Sequence, residues 1–168
     1  MLSVFDGLRD VTTLSVFVRL ACALICGGII GIERSYKRRP AGFRTHILIC
    51  IGAAITTLTS QYLYLNMHYF TDMARLGAQV VAGIGFIGAG TIIVTKRQNV
   101  KGLTTAAGLW TSAIIGLAFG GGFYEGGILA TGFIMLAEQV FSRLEYRVLE
   151  HVPEINVYME KILSRRND

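Results

Sequence analysis

Apolar positions fall into five runs, roughly residues 14–32, 47–65, 76–94, 103–119 and 126–141. Each approaches the ~20 residues a helix needs to cross a hydrocarbon core. The runs are continuous rather than alternating, and they are too long for strands, so the pattern predicts helices. The last two are short and rich in glycine. The connections sort by charge. "ERSYKRRPAGFRTH", after the first run, holds Arg34, Lys37, Arg38, Arg39 and Arg44 against Glu33 alone, and "TKRQNVKG", after the third, holds Lys96, Arg97 and Lys101 with no acid. "NMHYFTDMAR" and "GGGFYEGG" carry almost no charge. Basic loops remain in the cytoplasm. The pattern therefore predicts an all-α membrane protein of about five spans, N-terminus outside and C-terminus cytoplasmic. Residues 1–141 form the transmembrane domain. Residues 142–168 form a short cytoplasmic tail, and Pro153 ends any helix that continues into it.

Composition agrees with a bilayer setting. Hydrophobic residues make up 52% of the 168, charged ones 16%, and there are 20 glycines against 2 prolines. The net charge of +5 is then a topology signal, and no basic face carries the interleaved aromatics of a nucleic-acid binder. The first residues include Asp6, Arg9 and Asp10, unlike the basic start of a cleavable signal peptide. Cys22 and Cys26 share a helix face, but no His or Cys pair nearby completes a zinc pattern. They read as small apolar packing residues, as does Cys50.

"VVAGIGFIGAG" places Gly83, Gly85 and Gly88 in the G-x-G-x-x-G spacing of a dinucleotide site. That reading needs a preceding strand and a later acidic residue, and neither is present. The alternative is close helix packing, because small residues at fourfold spacing let backbones approach in a bilayer. Ala78, Ala82, Gly85 and Ala89 share a face of the third helix, whose other glycines, Gly83, Gly88 and Gly90, extend close approach. This helix is expected to be central, with Gly85 on its seam. Thr104, Gly108, Ser112, Gly116 and Gly120 form a purer stripe on the fourth helix, and Gly27 and Gly31 repeat the spacing on the first.

Polar residues inside the apolar runs are candidates for function. Arg19 lies near the outer end of the first run. It either snorkels, ties helices together, or pairs with Asp72 or Glu125. Gln79 is expected to hydrogen-bond across to a neighbouring helix. Glu33, Arg34, Arg44, Thr45, His46, Thr104 and Thr105 cluster at the inner face, with Thr91 and Thr95 closing the third helix. Thr45, Thr104 and Thr105 are suited to cap helices, and a Glu33–Arg44 pair would lock the first two helices. The same residues equally suit a functional site, since inward helix N-termini attract anions. No acid lies near the middle of any run, which speaks against a cation path through this chain alone. His46, His68 and His151 are scattered, and no catalytic set is visible, so neither enzyme activity, nor a metal, nor a cofactor is expected.

Three stretches in order, "GIERSYKRRPAGFRTH", "QVVAGIGFIGAGTII" and "VKGLTTAAGLWTSAIIGLAFGGGFY", resemble the membrane domain of the MgtC/SapB family. The resemblance runs from about Arg19 to Gln139. It rests on Arg19, Glu33, Arg34, Gly42, Arg44, Thr45, His46, Gln79, Gly83, Gly85, Gly88, Gly90, Gly102, Leu103, Thr104, Thr105, Ala106 and Trp110. It implies a multi-pass protein of the bacterial inner membrane, tied to low-magnesium growth and intracellular survival. It further implies a regulator of other membrane proteins, the F-type ATP synthase among them, rather than a transporter. Transport of magnesium or another small ion is the alternative. A homo-oligomer, taken as a dimer, is expected in the bilayer, and no nucleic acid. Larger members append a cytoplasmic domain resembling an ACT fold. This tail is too short for one, which suggests the shorter SapB- or YhiD-like branch.

Overall fold

The structure is a computed structural model, and it describes residues 3–67, 72–94, 100–141 and 144. The expected tail, Thr95, His68 and His151 lie outside the described residues.

A 3-10 turn, Ser3–Leu8, precedes helix α1, Thr13–Tyr36. A capping box starts α1: Ser15 N–H donates to Thr12 Oγ1 at 3.2 Å, and Thr12 N–H donates to Ser15 Oγ at 2.9 Å. Its end is a Schellman turn. Arg39 N–H reaches Arg34 O, and Arg38 N–H reaches Ser35 O, both at 3.0 Å. Arg38 takes the left-handed position with φ 52°. Helix α2, Phe43–Leu65, follows after Pro40. Helix α3 covers Arg75–Gly90, α4 Leu103–Gly120 and α5 Tyr124–Leu136, and a π-helical turn, Ala137–Phe141, continues α5. Helices α1, α2 and α4 are long and apolar enough to cross a membrane, and α3 is a shorter apolar helix.

The five helices match the five apolar runs, with two local differences. The third run was expected to stay helical to residue 94, but α3 stops at Gly90. Thr91 Oγ1 turns back to Gly88 O at 2.7 Å. The β-branched Ile93–Val94 then forms strand β1, paired antiparallel with β2, Val100–Lys101. The expected threonine caps are also replaced. Gly42 and Gly102 are the N-cap residues of α2 and α4, and neither offers a side chain. Instead, Ser35 Oγ accepts the Phe43 N–H at 2.8 Å. Gly102, at φ 97°, passes so close to the Thr91 carbonyl that any Cβ would collide with it.

Residues 1–131 pack as one unit, and residues 132–168 form a second. In the first unit α2 packs most extensively on α1 and α4, while α3 leans chiefly on α4. Glycine sets the α2 crossings. A Cβ at Gly27 would meet Cys50 Cβ at 2.9 Å, and one at Gly31 would strike the Phe43 backbone at 2.6 Å. The α4 stripe lies along α2: Gly108 faces the His46 ring, Gly116 the Cys50 carbonyl and Gly120 the Ala54 carbonyl. Close backbone approach supplies dispersion contacts where lipid offers helices no hydrophobic drive to associate.

Helix α3 does not occupy the central place expected of it. Its buried residues are Ile84 and Gly88. Ile84 packs with Ala53 and Ala113, with Leu117 and Val80 around them, and Gly88 lies over Ala106. Ala78, Ala82, Gly85 and Ala89 are exposed. Added Cβ atoms at Gly83, Gly85 and Gly90 would meet nothing within 4 Å. The larger Ile84 fills the depression over two alanines, and that turns the small-residue face outward.

The two glycine classes should separate on substitution. Gly116→Leu drives a side chain into a backbone carbonyl that cannot give way, so thermal unfolding in detergent should show a loss exceeding the ~1–3 kcal/mol of ordinary overpacking. Gly85→Leu should leave the melting temperature of the isolated chain nearly unchanged.

Candidate functional site

Two buried polar centres lie at opposite ends of the bundle. The first is built on Arg19, which is wholly buried. Nη1 donates to Gln61 Oε1 at 2.7 Å and to Gly120 O at 2.8 Å, while Nη2 donates to Arg9 O at 2.6 Å and to Leu8 O at 3.2 Å. One guanidinium thus joins the N-terminal turn, α1, α2 and the end of α4. Its position in the sequence suggested Asp72 or Glu125 as counter-ion, and neither takes that place. Asp72 accepts from Ala74 N–H at 2.9 Å. Glu125 pairs with Arg9 at 2.6 Å. Arg19 is held instead by carbonyl dipoles, among them a C-terminal carbonyl of α4, where the helix field favours a cation.

The N-terminal turn completes this centre. Tyr124 Oη donates to Leu8 O at 3.1 Å, and its ring stacks on Phe5 at 4.9 Å. Arg9 also donates to Gly122 O at 3.1 Å. Sequence reasoning missed Arg9 and Gln61 as members. The available signal was topological, since Arg9 and Glu125 carry opposite charges on the same predicted side.

The second centre lies where α1 ends and α2 and α4 begin. Glu33, Arg34, His46, Thr105 and Ser112 are all buried there. His46 Nδ1 lies 2.8 Å from Ser112 Oγ, which itself donates to Gly108 O at 2.9 Å. The ring also interacts with the Ala41 backbone just before α2, and its Nε2 is buried. Glu33 and Arg34 both lie within electrostatic reach of the ring. Lys37 Nζ stands 2.6 Å from Glu33 Oε1, while Glu33 Oε2 is buried without a hydrogen bond. Sequence reasoning placed Ser112 in a packing stripe. Its spacing of four from Gly108 was the signal that it also faces His46.

The inner-face residues thus divide. Glu33, Arg34, His46 and Thr105 are buried in the cluster, whereas Arg44 and Thr104 are exposed and Thr45 is half-buried. The expected Glu33–Arg44 lock does not form, because Lys37, one turn along the same helix, takes the carboxylate. Gln79 is exposed on α3 and has no cross-helix hydrogen bond among the described residues. The same rotation of α3 that turns Gly85 outward accounts for it.

The cluster's chemistry is specific. One carboxylate pairs with an ammonium, and a buried guanidinium lies on the same turn, near two helix N-termini that carry partial positive charge. A magnesium ion prefers several oxygen ligands with carboxylates among them, and this set does not provide them. Among the described residues no three His, Cys, Asp or Glu side chains gather. The arrangement suits acceptors presented by another molecule at the exposed rim of Arg44 and Thr104.

Apolar helices of spanning length, glycine seams and a buried charge at each end define a helical membrane protein. A sequence profile described as the MgtC family matches residues 20–147, and the chain belongs to that family. It is 43% identical over 141 residues to a protein of Escherichia coli K12 named "Putative magnesium transporter YhiD", covering 82% of this chain and 65% of that one. Protein SapB of Bacillus subtilis is 36% identical over 126 residues, covering 73% of this chain and 54% of its own. Protein MgtC of Brucella abortus is 41% identical over 131 residues, covering 78% and 52%. The chain thus spans between about half and two thirds of these relatives' lengths. No solved structure matches it.

The counter-ion assignment can be tested directly. Arg19→Gln should cost about 3 kcal/mol of stability in detergent, since hydrogen bonds to a buried charge are lost and their carbonyls left unsatisfied. Glu125→Gln keeps every acceptor of Arg19 and leaves an amide oxygen for Arg9, so it should cost less, about 1 kcal/mol. Equal losses in thermal unfolding would return Glu125 to the Arg19 centre.

Proposed function

We propose that this protein is a non-enzymatic regulator of the bacterial inner membrane that binds other membrane proteins through its basic end. In this reading that end faces the cytoplasm, as the basic loops require. The buried cluster of Glu33, Arg34 and His46 carries the reading. It fixes the ends of three helices and sets Arg44 and Thr104 at the exposed rim, where a partner can reach them. The absence of any acid from the middle of the five runs supports regulation over ion conduction. Partners of this class include the F-type ATP synthase, and a second copy of the chain completes the unit as a dimer.

The second reading is transport of magnesium or another small ion. The name of the YhiD relative favours it.

Co-purification from native membranes distinguishes them. Arg44→Ala and Thr104→Ala, both at exposed positions, should reduce recovery of a specific partner without lowering the melting temperature. Unchanged recovery with both variants and with Glu33→Gln would remove the basic end from the function. Purified protein in liposomes should show no magnesium flux. Flux that disappears in Glu33→Gln would establish the transport reading.

A further inference from the structure

Helices α2 and α3 leave a cleft between them. Leu48, Gly52 and Thr56 line it from α2, and Val80, Gly83 and Ile87 line it from α3. Its volume is about 350 Å³. The cleft exists because α3 is seated on α4 through Ile84 and Gly88 while both helices turn glycine toward the gap. A Cβ at Gly52 or Gly83 would meet nothing within 4 Å.

A cleft with apolar walls inside a hydrocarbon layer does not hold water, which needs several polar partners. Its occupant is hydrocarbon or an apolar helix, and charge decides between them. From Leu48 to Thr56 a helix advances ~12 Å, and one extended acyl chain can lie along that length.

Charge identifies the lipid. Arg44 precedes Leu48 by one turn on the same face of α2. It is exposed and makes no ion pair among the described residues. It also stands in the first turn of α2, where the helix field is positive. No charged residue lines the cleft itself. We infer that the cleft between α2 and α3 holds one acyl chain of an anionic phospholipid whose headgroup sits at Arg44. This requires neither the regulatory reading nor a particular orientation in the membrane.

Photolabelling of the full-length chain in vesicles tests it. The vesicles are phosphatidylcholine with a minority of phosphatidylglycerol bearing a photoreactive group midway along one acyl chain. Adducts should concentrate at positions 48–56 and 80–87, and Gly83→Leu should abolish them while leaving the melting temperature unchanged. Arg44→Gln should remove a preference of ~fivefold for labelled phosphatidylglycerol over equally labelled phosphatidylcholine. Adducts spread evenly onto lipid-facing α1 residues such as Phe17 and Ile25 would overturn the inference. So would cleft adducts that survive Gly83→Leu, an unchanged lipid preference in Arg44→Gln, or a Gly83→Cys chain that forms a disulfide with a second copy in the same vesicles.

Discussion

A buried guanidinium in a membrane protein must be satisfied by the protein, because the hydrocarbon offers it nothing. Arg19 meets that constraint without a carboxylate. Four acceptors from three segments converge on two of its nitrogens. The geometry of one end of the bundle follows. Gln61 must bring the end of α2 to the guanidinium, and α4 must end where Gly120 can present its carbonyl. The N-terminal turn must fold back over both. The Tyr124 hydroxyl and the Arg9–Glu125 pair then hold that turn in place.

The opposite end is organised by backbone proximity as much as by charge. Gly31 allows α1 to touch the start of α2, and Gly108 leaves room for the His46 ring beside α4. The same glycines that permit tight crossings thereby permit a buried imidazole–serine contact between helices. Packing and polar chemistry are coupled here: a Cβ at Gly108 would rest on the His46 ring at 3.5 Å, and only a larger side chain would press into it.

Much of this was legible in the sequence. Continuous apolar runs gave all five helices, since length and hydropathy alone decide what can span a bilayer. The α4 stripe was readable from Gly108 to Gly120, where small residues recur at every fourth position and face α2, while Thr104 at its head is exposed. Helix α3 was misleading for a physical reason. It has two candidate faces, one of small residues and one carrying Ile84 with Gly88. Which face packs depends on whether α4 and α2 offer a ridge or a depression, and that is a property of the partner surface. Charge partners were harder still. Lys37 takes Glu33 because it lies one turn away on the same helix, whereas the Arg44 pairing required a loop geometry that Pro40 and Arg38 do not give. Arg19 was readable as a residue in need of partners, but carbonyl acceptors leave no mark in a sequence, since every residue has one.

The bond from Arg19 to Gly120 spans 101 residues of chain. At cellular synthesis rates the acceptor follows the donor by roughly 5–20 s. Helix α1 therefore reaches the membrane carrying a charge whose final partner has not yet been made. Until α4 arrives, the guanidinium has only the acceptors of its own N-terminal segment and of Gln61. The fourth helix then does more than add a wall to the bundle: its last carbonyl completes a set of acceptors that the earlier segments leave short.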